Sequence, residues 1–321
     1  MKNNLPSLLS SYQLQTITIS MTDDTLLPVS VIGSGEPVML LHAFGMDARQ
    51  FLPFILPLTQ RYRFYLPHFR GFGMSSHLTL PRFDFIEQYV DDVEQVFRHV
   101  SKETKCEAFP VAAISMGALV MWAYFQRFGT QHVSRYLNID QAPMIHNQPD
   151  WQTGGVFGTR QTEIFAQFAD LIANAEPYMQ VDDFRHLPYR LKTKLLDIER
   201  AFSLLSVSRK SSQLLVKTLS HRPPQKISLM KHATWQHKLR CLSAYVELPY
   251  DYRSVVSTVS IPTTLLVGGR SQLYSAKCQQ KITQMLPSAN AIILPNSGHA
   301  VPMDAPVEFY KVLKRFVESS L

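Results

Sequence analysis

Apolar and polar positions along this chain follow three rhythms. YQLQTITIS (Tyr12–Ser20) alternates residue by residue and predicts an edge strand. After the polar turn TDD, LLPVSVIG (Leu26–Gly33) predicts its antiparallel partner in a hairpin. PVMLLHA (Pro37–Ala43) is apolar throughout, as in a strand buried on both faces of a sheet. DARQFLPFILPLTQ predicts a short helix interrupted by Pro53 and Pro57, and YRFYLPHF (Tyr62–Phe69) a further strand. Helical spacing over Phe83–Val100, a strand at Glu107–Ser115, an apolar helix over Gly117–Gly129 and a strand at Val133–Asp140 complete a β-β-β-α-β-α-β-α-β run.

From about Pro143 to Glu247 the strand rhythm stops. TEIFAQFADLIANA, LKTKLLDIERAFSLLS and SSQLLVKTLS carry helical periods. Alternation resumes with IPTTLLVGG (Ile261–Gly269), the helix SAKCQQKITQML, the strand NAIILPNS and the helix APVEFYKVLKRFVESS. Alternating βα units imply a mainly parallel, doubly wound sheet with helices on both faces. The expected division is a core of residues 1–142 and 248–321 with a helical insertion over 143–247. Ligands of such sheets bind beyond the carboxyl ends of the strands, so chemistry is sought there.

Bulk properties narrow the class. With 321 residues and 45% hydrophobic content, the chain can bury a large core. Three widely spaced cysteines (Cys106, Cys241, Cys278) show neither a metal-ligand spacing nor a disulfide framework. The N-terminus has no signal-like apolar segment and no run reaches membrane-spanning length, so a cytoplasmic protein without membrane partners is expected. The net charge of +7 comes without a nucleic-acid-binding motif, so no nucleic-acid partner is expected. The excess is uneven. No Asp or Glu occurs from Arg200 to Val246, a stretch holding Arg209, Lys210, Lys217, Arg222, Lys226, Lys231, Lys238 and Arg240. A solvated helix face is the simpler reading, attraction of an anionic carrier such as a coenzyme A thioester the sharper one.

Three short stretches carry chemistry. In VAAISMGALV (Val111–Val120) a strand ends in Ser115 and a helix begins at once. So tight a turn lifts the hydroxyl above the sheet and demands small residues two positions to either side, here Ala113 and Gly117. This is the nucleophile elbow, with alanine for its first glycine. In LLHAFGMD (Leu40–Asp47) a loop follows the third strand. Its Phe44 N–H, with the Met116 N–H behind the serine, is the candidate oxyanion hole. In PNSGHAVPMDAP (Pro295–Pro306) His299 follows the last strand, where an imidazole reaches over the sheet edge.

These stretches, with PHFRGFGMSS (Pro67–Ser76), resemble the α/β-hydrolase superfamily, with a helical cap after the sixth strand. The resemblance implies an eight-stranded sheet and an acid completing a Ser-His pair. Its usual place, after strand 7, holds Ser271 in LLVGGRSQLYS. In the family's sheet, strand 6 lies next to strand 7. An acid moved there shifts by about 4.8 Å, and YLNIDQAP offers Asp140 at that strand's end. Asp304 and Asp251 are the alternatives. IDQAPMIHNQPDW with GGRSQLY is similar to esterase- and cofactor-free haloperoxidase-like members with Ser in place of the strand-7 acid. The implied enzyme is a serine hydrolase of a small or medium acyl ester or thioester, using Ser115, His299 and Asp140 and neither cofactor nor metal. Trp151 is a candidate substrate contact, with Met144, Phe157 and Phe165 as weaker ones. The alternatives are a silent ligand-binding protein on this scaffold, a perhydrolase or a C–C bond hydrolase. The oligomeric state is left open.

Overall fold

A computed structural model of the chain describes residues 14–220 and 232–319. Tyr12 and Gln13 of the first expected strand lie outside them, as do Arg222, Lys226 and Lys231 of the basic stretch. β1 (Gln15–Ser20) and β2 (Leu26–Gly33) form the expected antiparallel hairpin. β3 (Glu36–Leu41), β4 (Tyr62–Pro67), α1 (Phe85–Thr104), β5 (Phe109–Ile114), α2 (Met116–Phe128) and β6 (Val133–Ile139) follow. Then come α3 (Gln161–Ala175), α4 (Tyr189–Ser206), α5 (Lys210–Ser220) and α6 (His232–Glu247). The chain returns through β7 (Thr263–Gly268), α7 (Ala276–Met285), β8 (Ala289–Leu294) and α8 (Pro306–Glu318).

The eight strands make one sheet in the order β1-β2-β4-β3-β5-β6-β7-β8. The β1–β2 and β2–β4 pairs are antiparallel and the rest are parallel. Every residue of β5 is buried, which explains its unbroken apolar run, whereas the edge strand β8 is partly exposed. One face carries α1, α2 and α7 on a core that includes Val93, Phe97, Trp122, Tyr124 and Ile282. The other carries α8, with Phe309, Leu313 and Phe316 against Ile32, Leu40 and Ile114. The segment expected as one short helix over Asp47–Gln60 is three helical turns. Pro53 and Pro57 each open a turn, because proline tolerates only the first helical positions.

PHFRGFGMSS works as a clamp. The buried Arg70 guanidinium donates to both carboxylate oxygens of Asp92 on α1 and to both of Asp23 in the β1–β2 turn. Such a bidentate ion pair is geometrically specific, and it ties the hairpin to the helix layer.

The helical stretch between β6 and β7 leaves and rejoins the sheet through paired backbone. Ile145 N–H donates to Tyr250 O, Tyr252 N–H to Pro143 O, and Met144 bridges Asp251. It has its own apolar cluster of Leu171, Phe184, Leu191, Leu195, Trp235 and Leu239. α6, which the sequence pattern did not reveal, seats it on the core. There His237 lies in contact with the Tyr89 hydroxyl (2.9 Å) and edge-on to Phe72. Gly71 is required beneath it, since a Cβ would lie 2.1 Å from the imidazole. Among the described residues no helix is long and apolar enough to cross a membrane.

Candidate active site

The turn between β5 and α2 puts Ser115 at φ 51°, ψ −121°, a backbone state that costs a non-glycine residue about 1–3 kcal/mol and is held by its surroundings. The Ser115 N–H donates to Ile139 O, and its carbonyl accepts from Ala118 and Leu119 N–H. Gly117 must lack a side chain, because a Cβ would stand 2.7 Å from Leu41 O. Ala113, where the elbow pattern has glycine, fits fully buried inside β5.

The structure brings Ser115, His299 and Asp140 together. The Ser115 hydroxyl lies 2.8 Å from His299 Nε2, and His299 Nδ1 lies 2.8 Å from Asp140 Oδ2. Asp140 follows β6 directly, at φ 52°, a left-handed state that aspartate tolerates better than most residues. It is fully buried, and its carboxylate accepts three further hydrogen bonds. Oδ1 takes Gly268 N–H (2.7 Å) and the Gln279 amide (2.8 Å), and Oδ2 takes the Ser271 hydroxyl (2.6 Å). With the carboxylate accepting throughout, the imidazole proton sits on Nδ1 and Nε2 presents a lone pair to the serine hydroxyl.

The alternative acids are engaged elsewhere. Asp251 pairs with Arg253 in the stem, 2.7 Å away. Asp304 accepts Gly298 N–H (2.7 Å), Ser208 N–H (2.7 Å) and Arg209 N–H (3.2 Å), joining the His299 loop to the insertion. Ala300 N–H donates to Ser206 O, so the same loop is tied twice. Gly298 is glycine for this reason, as a Cβ would stand 2.8 Å from Ser206 O.

Phe44 and Met116 each keep a backbone N–H without an acceptor among the described residues, Met116 because it opens a helix. The Phe44 loop is held by His42, whose Nδ1–H donates to Ala43 O (2.8 Å) while Nε2 accepts Phe69 N–H (3.0 Å). Burial pushes the His42 pKa down to about 4. His68 beneath it is likewise pushed down to about 4 by burial, with its ring on Ser30 Oγ and Met74 N–H. Phe44 also faces Phe72 (5.2 Å) and Tyr245 of α6 (6.4 Å).

Trp151 is buried in the insertion with the Lys281 ammonium 4.0 Å from its ring centre. No hydrogen bond or ring contact among the described residues joins it to Ser115, His299 or Asp140. Phe157 and Phe165 belong to an aromatic cluster with Phe168 and Phe202. Sequence reasoning missed Gln279, and it read Ser271 only as the residue standing in place of the strand-7 acid, where the structure shows a donor to Asp140.

The sheet order and the helical layers on both faces make the chain an α/β hydrolase by fold. It belongs to the Hydrolase_4 family, described as serine aminopeptidase, S33, whose family model matches residues 35–306. Among curated relatives, it is 23% identical over 286 residues to a pimeloyl-(acyl-carrier protein) methyl ester esterase of Vibrio cholerae, covering 89% of this chain and 96% of that one. Among solved structures, an esterase from Exiguobacterium antarcticum superposes with TM-score 0.73 at 18% identity, covering 95% of this chain and 100% of its own. A bromoperoxidase from Bacillus anthracis gives TM-score 0.71 at 15% identity, with 95% and 100% covered.

Proposed function

We propose that the protein is a serine esterase that cleaves a small or medium acyl ester through an acyl-enzyme at Ser115. The observation that carries this reading is the hydrogen-bonded chain Ser115–His299–Asp140, with both links at 2.8 Å. In the reaction, His299 Nε2 takes the hydroxyl proton as Ser115 Oγ attacks the acyl carbonyl. The developing oxyanion takes the Phe44 and Met116 N–H groups, each worth about 2.7–4 kcal/mol of transition-state stabilisation. His299 then delivers its proton to the departing alcohol, and a water activated by the same nitrogen clears the acyl group. Asp140 holds the imidazole in the working tautomer and stabilises the imidazolium.

The names of the relatives support ester chemistry, and the helical insertion supports a handle for the substrate. Residues 143–247 hold 14 Lys and Arg against 9 Asp and Glu, most of the chain's net charge of +7. In this reading the insertion caps the strand ends and favours acyl groups borne on an anionic carrier. Raising ionic strength from 50 to 500 mM should then lower kcat/KM several-fold for an anionic ester and leave p-nitrophenyl acetate unchanged; equal responses would remove the handle.

The decisive experiment is active-site labelling. A fluorophosphonate probe should modify wild-type protein at Ser115 and leave Ser115→Ala unmodified. The wild type should turn over p-nitrophenyl acetate and the variant should not. Labelling that survives the substitution would place the nucleophile elsewhere.

A further inference from the structure

We propose that Ser271 and Gln279 are positioning residues for Asp140. The proposal rests on the triad reading above and adds to it what holds the acid.

Four donors converge on the two oxygens of Asp140: His299 Nδ1–H and the Ser271 hydroxyl on Oδ2, Gly268 N–H and the Gln279 amide on Oδ1. His299 aside, no cationic side chain pairs with Asp140 among the described residues, so neutral donors carry the burden of keeping a buried carboxylate in place. Ser271 is itself aimed. Its Oγ accepts Tyr274 N–H (3.3 Å), which turns the hydroxyl proton toward Asp140. Gln279 is aimed too. It is fully buried, its Nε2 is spent on Asp140 and Tyr274 O, and its Oε1 has no partner among the described residues. A buried carbonyl left unpaired is unfavourable. The reversed amide would put that oxygen against the carboxylate, so Asp140 dictates the orientation observed.

The test is kcat and KM for p-nitrophenyl acetate across one set of variants, each checked for folding by circular dichroism and thermal unfolding. Ser271→Ala and Gln279→Leu should each lower kcat about ten- to a hundredfold, the worth of a hydrogen bond to a charged group, with KM within about twofold. Ser271→Thr keeps the hydroxyl and should retain wild-type kcat. Asp140→Asn should lose about 10³–10⁴. Wild-type kcat in both Ser271→Ala and Gln279→Leu would overturn the positioning role. A fully active Asp140→Asn would instead sink the triad reading itself.

Discussion

Two buried aspartates flank His299, and the donors each accepts set them apart. Asp140, at the end of β6, accepts hydrogen bonds from the ring Nδ1, from two further side-chain donors and from one backbone N–H. Asp304, five residues beyond the histidine, takes three backbone N–H groups, one from the histidine loop and two from the insertion. Both are almost wholly buried. Neither burial nor proximity in sequence therefore identifies the acid that touches the imidazole. What separates them is whether the carboxylate meets the ring or the peptide that carries it. Asp140 contacts the imidazole, whereas Asp304 contacts the backbone of its loop and of the helical segment before β7.

The sharpest test of that contrast is kinetic. Asp140→Asn should lower kcat/KM about 10⁴-fold, while Asp304→Asn should stay within about tenfold of wild type. Equal losses measured with a small neutral ester would break the distinction. Acid provides the second test, because it strains the frame around the site. His42 and His68 have folded pKa values near 4 against an ordinary 6.5, both through burial. Between those values the unfolded chain binds more protons, so stability rises with pH and is lost as pH falls from about 6.5 toward 4. The loss is roughly 3 kcal/mol for each histidine. His42→Gln should flatten part of the slope of unfolding free energy against pH; an unchanged slope would exclude it as a source. The smallest effect is steric. Gly298→Ala would press a methyl on Ser206 O and should cost roughly 1–3 kcal/mol in denaturant unfolding. If Asp304 and Gly298 form one fastening, Asp304→Ala and Gly298→Ala should cost less together than the sum of their single effects. Strict additivity would separate them.

Much of this frame was legible in the chain. Unbroken apolar runs mark the strands buried on both faces, and the small residues around Ser115 mark the turn, because local sterics allow little else there. The helix at His232–Glu247 was not legible. Its inward face includes His237, a polar residue made apolar in effect by burial against Tyr89 and Phe72, so the period is blurred. Gln279 was hidden for the same reason. Its value lies in a partner 139 positions away.

Sequence alone determined the alternation of elements, the tight turn at Ser115 and the residue types available after each strand, since these depend on neighbours a few positions apart. Only the tertiary structure decided that Asp304 reaches the peptide of the histidine loop and Asp140 its ring, and that Ser271 is a donor to the acid. Asp140 meets Ser271 and His299, and Asp304 meets Ser208, at 2.6–2.8 Å from segments far apart in the chain, as strand order and loop path dictate. No local pattern encodes distances of that kind.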